Sequence, residues 1–201
     1  MIKKITILFS VLLASCIQNS ESKNNYLDYS SKEDKLSGGV KIIQIQTPSG
    51  KFNVWTKRIG NNPTKKVLLL HGGPGFDHQY FQAADSYFPK ESIEYYYYDQ
   101  LGSNKSDNPK DESLWTIDRF VNEVEQVRQA LNLNKDNFIL LGHSWGGILG
   151  IEYALKYQNN LKALIISNMV PSIPDYIRYA NDVLAPQLDP EVLKKIRAFE
   201  E

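Results

Sequence analysis

The sequence predicts an α/β domain built on a mostly parallel sheet with helices on both faces. Three observations carry that expectation. Continuous apolar runs at 66–70 (KVLLL), 92–99 (SIEYYYYD), 137–142 (NFILLG) and 161–168 (LKALIISN) have the texture of strands covered on both faces. Segments of helical spacing alternate with them. A Gly-x-Ser-x-Gly turn stands where one of these strands would give way to a helix.

Taken in order, residues 40–47 (VKIIQIQT) and 51–59 (KFNVWTKRI) alternate apolar and polar positions around Pro48-Ser49-Gly50, which predicts a β-hairpin. The strand at 66–70 follows, then a helix over about 77–88, then the strand ending at Asp99. Its four tyrosines, Tyr95 to Tyr98, fit a strand with rings on both faces; lining a pocket is the other reading. Trp115, Phe120, Val124, Val127 and Leu131 fall near helical spacing over 115–131. Residues 146–158 (GGILGIEYALKYQ) continue the turn as a helix, and the last strand precedes a tail that differs in texture. In that tail, 172–186 and 189–201 read as two helices, the second with Asp189 as N-cap and Pro190 at its first position. It carries no stop signal, and its two closing glutamates oppose the helix dipole.

Composition bounds the function. The 201 residues are 42% hydrophobic, with 12 Tyr and 8 Phe, enough for one core and too aromatic for a disordered chain. Lys plus Arg equals Asp plus Glu at 23 each, which gives no basic footprint for nucleic acid. Cys16 is the only cysteine, so an intramolecular disulfide is excluded. It follows Lys3 and Lys4, the apolar run Ile5 to Leu13, and the small residues Ala14 and Ser15. That run is too short to span a bilayer and reads as a signal peptide. The end Leu13-Ala14-Ser15-Cys16 resembles a bacterial lipoprotein signal, which implies a lipidated Cys16 anchored in the cell envelope. An ordinary secretory signal and a buried N-terminal helix are the alternatives. The expected organisation is a signal over 1–15, a flexible tether over 16–39, a core over 40–170, and the start of a helical cap over 171–201.

Two motifs carry chemistry. Gly142-His143-Ser144-Trp145-Gly146 has an apolar strand before it and a helix former after it. Its glycines allow a crowded turn that leaves the Ser144 hydroxyl exposed as a nucleophile. His71-Gly72-Gly73-Pro74-Gly75 directly follows the first parallel strand. Acyl transfer builds negative charge on a carbonyl oxygen, and preorganised N–H groups stabilise it. The expected donors are the backbone N–H groups of Gly73 and Trp145. No Lys-Ser/Thr follows the glycines, so they do not form a P-loop. No His, Cys, Asp or Glu set has metal-ligand spacing. His71 is expected to order the loop, His143 to point away from Ser144, and His78 to be a surface or packing residue. Asp99 is expected to hydrogen-bond structurally at a strand end, and the remaining carboxylates to lie on solvated faces.

HGGPG, YYYYDQLGSNKSD and GHSWGG together resemble the proline iminopeptidase branch of the α/β-hydrolases; Asp99, Gln100, Gly102, Trp145, Gly146 and Gly147 match its motifs. The resemblance covers about residues 40–200. It implies an α/β-hydrolase core with a helical cap, release of N-terminal residues, often proline, from small peptides with a free N-terminus, and no metal or organic cofactor. It also implies the triad order Ser, then acid, then His. No histidine follows Ser144, and Asp175, Asp182 and Asp189 come too early for the acid. The expectation is therefore that triad acid and base are absent from these residues, that the C-terminal part of the fold is missing, and that the chain alone is inactive and prone to aggregate along an open strand edge. An esterase or amidase of the same fold, or a catalytically dead anchored binding protein, are the rival readings. Epoxide hydrolases and dehalogenases carry Asp at the nucleophile position, which disfavours them.

Overall fold

The computed structural model describes residues 25–200; Cys16 and the expected signal at 1–15 lie outside the described residues. Its strands are β1 (Val40–Thr47), β2 (Gly50–Ile59), β3 (Lys66–Leu70), β4 (Glu94–Asp99), β5 (Phe138–His143) and β6 (Ala163–Ser167). They form one sheet in the order β1-β2-β4-β3-β5-β6. The β1–β2 hairpin is antiparallel, closed by Thr47 opposite Gly50, and β2 runs antiparallel to β4. From β4 through β3 and β5 to β6 every pairing is parallel. The α-helices are α1 (Ile117–Ala130), α2 (Trp145–Tyr157), α3 (Ile173–Tyr179) and α4 (Pro190–Glu200).

The four tyrosines of β4 divide by the two-residue period of a strand. Tyr96 and Tyr98 join Leu68, Leu70 and Leu140 beneath Phe120, Val124, Leu149 and Tyr153 of α1 and α2. Tyr95 and Tyr97 join Trp55, Val67 and Leu69 on the other face, where Phe81 and Phe88 pack. Helical structure thus covers both faces, but unequally. The helix expected over 77–88 is replaced by tight three-residue turns at His78–Ser86 and Phe88–Glu91. Pro89 disfavours helical backbone at Phe88, and the Tyr95 and Tyr97 hydroxyls both bond the Asp85 carboxylate from below.

Four further expectations are corrected. From Asn25 onward the supposed tether is docked. The Tyr26 hydroxyl donates to the Ile93 carbonyl at 3.1 Å, and Asp34 takes a two-pronged ion pair from Arg58 at 2.9 and 2.5 Å. The Arg58 guanidinium also lies 4.6 Å from the Tyr29 ring centroid. A buried guanidinium needs a counter-charge, and the segment supplies it. Second, β6 is not covered on both faces: Ile165 and Ile166 are each 45% exposed, and among the described residues β6 is an edge strand paired with β5. Third, the helix expected over 172–186 stops at Tyr179, widens over Ala180–Leu184 and tightens at Ala185–Gln187 around Pro186.

Fourth, carboxylates outside the motifs are not all solvated. Glu94 and Glu123 are buried. Glu123 lies on the inner face of α1, three residues after Phe120. One of its oxygens accepts from the Tyr98 hydroxyl and, at 2.9 Å, from the Leu101 N–H; the other pairs with Arg119 one turn earlier. Burial pushes the Arg119 guanidinium down to about 10, against the raising influence of Tyr98, which still leaves it charged at neutral pH. Among the described residues no helix is long and apolar enough to cross a membrane. Replacing Glu123 by Ala strands a buried cation, so Glu123→Ala is expected to destabilise the domain by about 3 kcal/mol or more, read as a lower urea midpoint; an unchanged midpoint would show that the pair contributes nothing.

Candidate active site

β5 ends at His143, and Ser144 follows with φ 54° and ψ −120° as the cap of α2. A side-chain-bearing residue in that region costs on the order of 1–3 kcal/mol and persists only where its surroundings enforce it. Here they do. A methyl group at Gly142 would overlap the Gly146 carbonyl, and one at Gly146 would overlap the Leu70 carbonyl at the end of β3. The first turn of α2 therefore lies directly on the last residues of β3. The Ser144 N–H donates to the Ser167 carbonyl at 3.0 Å, and its carbonyl accepts from the Gly147 N–H at 2.8 Å.

That packing brings the serine against the loop after β3. A methyl group on Gly72 would sit 3.0 Å from the Ser144 β-carbon. The Gly72 N–H is taken by the Tyr80 hydroxyl at 2.6 Å. Gly73 has φ 118° and a cis bond to Pro74. Its N–H has no acceptor among the described residues, and neither has that of Trp145, where a first-turn amide lacks an intrahelical partner. Two N–H groups thus remain available beside Ser144, at the positive end of α2. The expected trio of Ser144, Gly73 and Trp145 is brought together.

The three imidazoles are placed elsewhere. His71 is fully buried; its Nε2 accepts from the Gln100 N–H at 3.0 Å and its Nδ1 lies 3.0 Å from the Gly72 carbonyl. A ring accepting at Nε2 and donating from Nδ1 is neutral. Burial pushes its pKa below the ordinary value, against the Gly72 hydrogen bond and the nearby Asp99, which favour the charged form. His78 is not a surface residue: its Nδ1 is 2.8 Å from Asp99 Oδ1, and its ring packs on Trp55 and Tyr97. Asp99 also receives the His78 N–H at 2.9 Å and the Ser106 hydroxyl at its carbonyl, a structural role. His143 turns towards the rings of Tyr80 and Phe81. Asp175 pairs with Arg178, and Asp189 caps α4.

A cleft of about 440 Å³ opens beside the elbow, lined by Pro74, Gly75, Leu101, Trp115, Phe120 and Trp145. Its walls are apolar and aromatic, as small-molecule sites tend to be. A larger hollow, about 510 Å³, lies at the opposite end of the sheet among Asp34, Lys41, Arg58 and Lys66. There Arg58 is held by Asp34, Lys66 by Glu94 and Lys41 by the Ala130 carbonyl, so these cations are already occupied. The elbow cleft is the better candidate. Sequence reasoning missed Tyr80, whose only sign was an aromatic on the segment following the glycines. It also missed the links made by Gln100, whose sign was its place directly after Asp99 at a strand end.

Comparison with known proteins places the fold. The model of the alpha/beta hydrolase fold family matches residues 65–194. The proline iminopeptidase of Flavobacterium johnsoniae is 61% identical over 159 residues, covering 79% of this chain and 54% of that protein. That of Elizabethkingia meningoseptica is 59% identical over 159 residues, covering 79% and 53%. The chain thus spans about half the length of the curated relatives it matches. Among solved structures, VinJ superposes with a TM-score of 0.71 at 28% identity, and a proline iminopeptidase from Mycobacterium smegmatis with 0.68 at 28%. Each match covers 80% of this chain and 54% of the other.

The neutral ring of His71 sets a pH dependence. Its folded-state pKa lies below its unfolded value near 6.5. Its contribution to stability is therefore full above that value and is lost as pH falls below it towards the folded pKa, because the unfolded chain then binds the extra proton. Between pH 7.5 and 5 the urea midpoint of the wild type is expected to fall further than that of His71→Gln. Equal falls in the two proteins would show that His71 does not titrate with folding.

Proposed function

We propose, starting from the fact that this chain belongs to the α/β hydrolase fold family, that the whole protein is a serine hydrolase. It releases N-terminal residues, proline preferred, from small peptides with a free N-terminus. The observation that carries the reading is the placement of Ser144, in enforced left-handed backbone, beside the two unoccupied N–H groups of Gly73 and Trp145. In this reading the Ser144 hydroxyl oxygen bonds to the scissile carbonyl carbon as its proton passes to a base. The carbonyl oxygen takes up negative charge between the Gly73 and Trp145 N–H groups. Collapse breaks the carbon–nitrogen bond, the amine leaves with a proton, and water then hydrolyses the acyl-enzyme. No metal or organic cofactor enters these steps. Since the His71 and His78 rings are committed to other partners and the His143 ring packs against Tyr80 and Phe81, we assign the base and its acid to the whole protein outside residues 25–200; the described part alone is then inactive.

The proline preference is supported by the proline iminopeptidases that resemble this chain at about 60% identity and by an apolar, aromatic cleft that suits a pyrrolidine ring. An esterase of the same fold is the second reading, since it would use the same serine and the same two N–H groups. Eight residues, 17–24, separate Cys16 from Asn25, where the docked segment begins. We further propose that Cys16 is lipidated and anchors the protein in a bacterial envelope membrane.

In the full-length protein, Ser144→Ala is expected to lower kcat/KM on a prolyl amide by about 10⁴-fold or more; ordinary turnover by the variant would remove Ser144 from the mechanism. Faster ester than prolyl-amide turnover in the wild type would favour the esterase. Mass spectrometry of the mature N-terminus should find a diacylglycerol-modified Cys16, and an unmodified cysteine still preceded by Ala14-Ser15 would refute the anchor.

A further inference from the structure

The two N–H groups assigned to the oxyanion come from separate parts of the sheet: Gly73 from the loop after β3, Trp145 from the first turn of α2. Their separation and mutual orientation decide whether one oxygen can meet both. Packing of Gly146 on Leu70 sets the coarse distance. One side chain bridges the two parts directly, and it belongs to neither. Gln100, almost fully buried just after β4, donates from Nε2 to the His71 carbonyl at 3.0 Å. Its Oε1 accepts from the Trp145 indole Nε1 at 3.1 Å. Its backbone N–H holds the His71 ring at 3.0 Å. The side-chain amide therefore has one end on the glycine loop and the other on the residue that follows the nucleophile.

We propose that Gln100 is a positioning residue that holds the Gly73 and Trp145 donors in register for the transition-state oxygen. The proposal rests on the serine-hydrolase reading above and adds to it a specific dependence. An amide is the one side chain of this length that can donate at one end and accept at the other. The His71 carbonyl needs a donor and the indole N–H needs an acceptor, so the assignment of Oε1 and Nε2 is fixed by the partners. A loosened bridge leaves the cleft walls other than Trp145 in place and acts chiefly on the donors that meet the developing charge. Such a change lowers kcat and spares KM.

The test uses the full-length protein and three variants. Gln100→Met keeps the length and removes both side-chain links. Gln100→Glu keeps an acceptor for Trp145 and turns the donor facing the His71 carbonyl into a second acceptor. Trp145→Phe removes the indole N–H together with part of a ring that lines the cleft, so its labelling rate, and not its KM, is the readout. Each is measured for kcat and KM on a prolyl amide and for the rate at which a fluorophosphonate labels Ser144, a reaction that also needs the oxyanion site. For Gln100→Met the expectation is a kcat and a labelling rate lower by roughly 10- to 100-fold, with KM within about twofold. Gln100→Glu should fall with it at pH values where the introduced carboxyl is ionised and both of its oxygens only accept. Trp145→Phe should matter in the wild type and add little in the Gln100→Met background, because the two changes break one bridge.

A labelling rate within twofold of wild type for Gln100→Met, or a KM that rises as much as kcat falls, would overturn the positioning role. If Gln100→Met does not fold, Trp145→Phe decides alone, and an unchanged labelling rate there overturns the proposal. A wild type that is not labelled at Ser144 overturns the serine-hydrolase reading and the positioning role with it. A wild type that is labelled without turning over prolyl amides overturns only the substrate, and the labelling rates still decide the role of Gln100.

Discussion

The architecture around the candidate site depends on one close approach: the Leu70 carbonyl at the end of β3 against Gly146 in the first turn of α2. No β-carbon fits between them. That distance carries the end of α2 over the neighbouring strand, forces Ser144 into φ 54°, and leaves Gly72 against the serine's β-carbon. Glycine is costly within a helix. Here Gly146 and Gly147 occupy the first turn of α2, where a larger residue would push the helix off the sheet. The cost is offset by strand–helix packing that no other residue allows.

Three consecutive residues leaving β4 then fix three separate loops. Asp99 holds His78 at the start of the turns that cover Tyr95 and Tyr97. Gln100 holds His71 and Trp145. Leu101 gives its N–H to Glu123, which in turn balances Arg119 on α1. All three are buried. Buried polar groups of this kind contribute modestly when fully partnered and are expensive when broken. Their effect here is geometric. The carboxyl end of β4 lies between the glycine loop, the elbow and the wall of the cleft, so one short stretch of backbone ties the surroundings of Ser144 to a single strand end. Ligand sites of open α/β sheets occupy this position because neighbouring loops diverge there.

What the sequence made legible was whatever depends on local pattern. The apolar runs mark β3, β4 and β5, the Pro48-Ser49-Gly50 turn marks the hairpin, and the two glycine motifs mark the elbow and its loop. The misreadings share a different cause. Residues 25–39 are polar and look like a tether, yet they dock because Arg58, distant in sequence, is buried and needs Asp34. Glu123 looks solvated until α1 is placed over Tyr98. The segment from His78 has helical composition, but two tyrosine hydroxyls of β4 pull on Asp85 from beneath. In each case a contact distant in sequence overrides local propensity, as tertiary context does for secondary structure generally. Asp99 and Gln100 were visible as motif residues; their partners, His78 and Trp145, follow only once β4 lies beside β3.

Coverage of the sheet is uneven, and the unevenness reaches the serine. β3, β4 and β5 are enclosed, whereas β6 pairs on one side and leaves Ile165 and Ile166 partly exposed. Exposed apolar residues continue through the tail, with Ile173, Tyr176 and Ile177 each more than half exposed. Among the described residues β6 is therefore the least enclosed strand of the sheet. The Ser144 N–H is bound to Ser167, the last residue of β6, and a methyl group at Gly147 would meet the Met169 side chain just beyond it at 2.9 Å. The elbow is thus clamped between a well-covered strand, β3, and the least-covered one. Of the contacts that enforce the strained backbone of Ser144, those on the Leu70 side are made to an enclosed strand and those on the Ser167 side to a partly exposed one, so the geometry of the nucleophile depends on both neighbours of β5 and not on β5 alone.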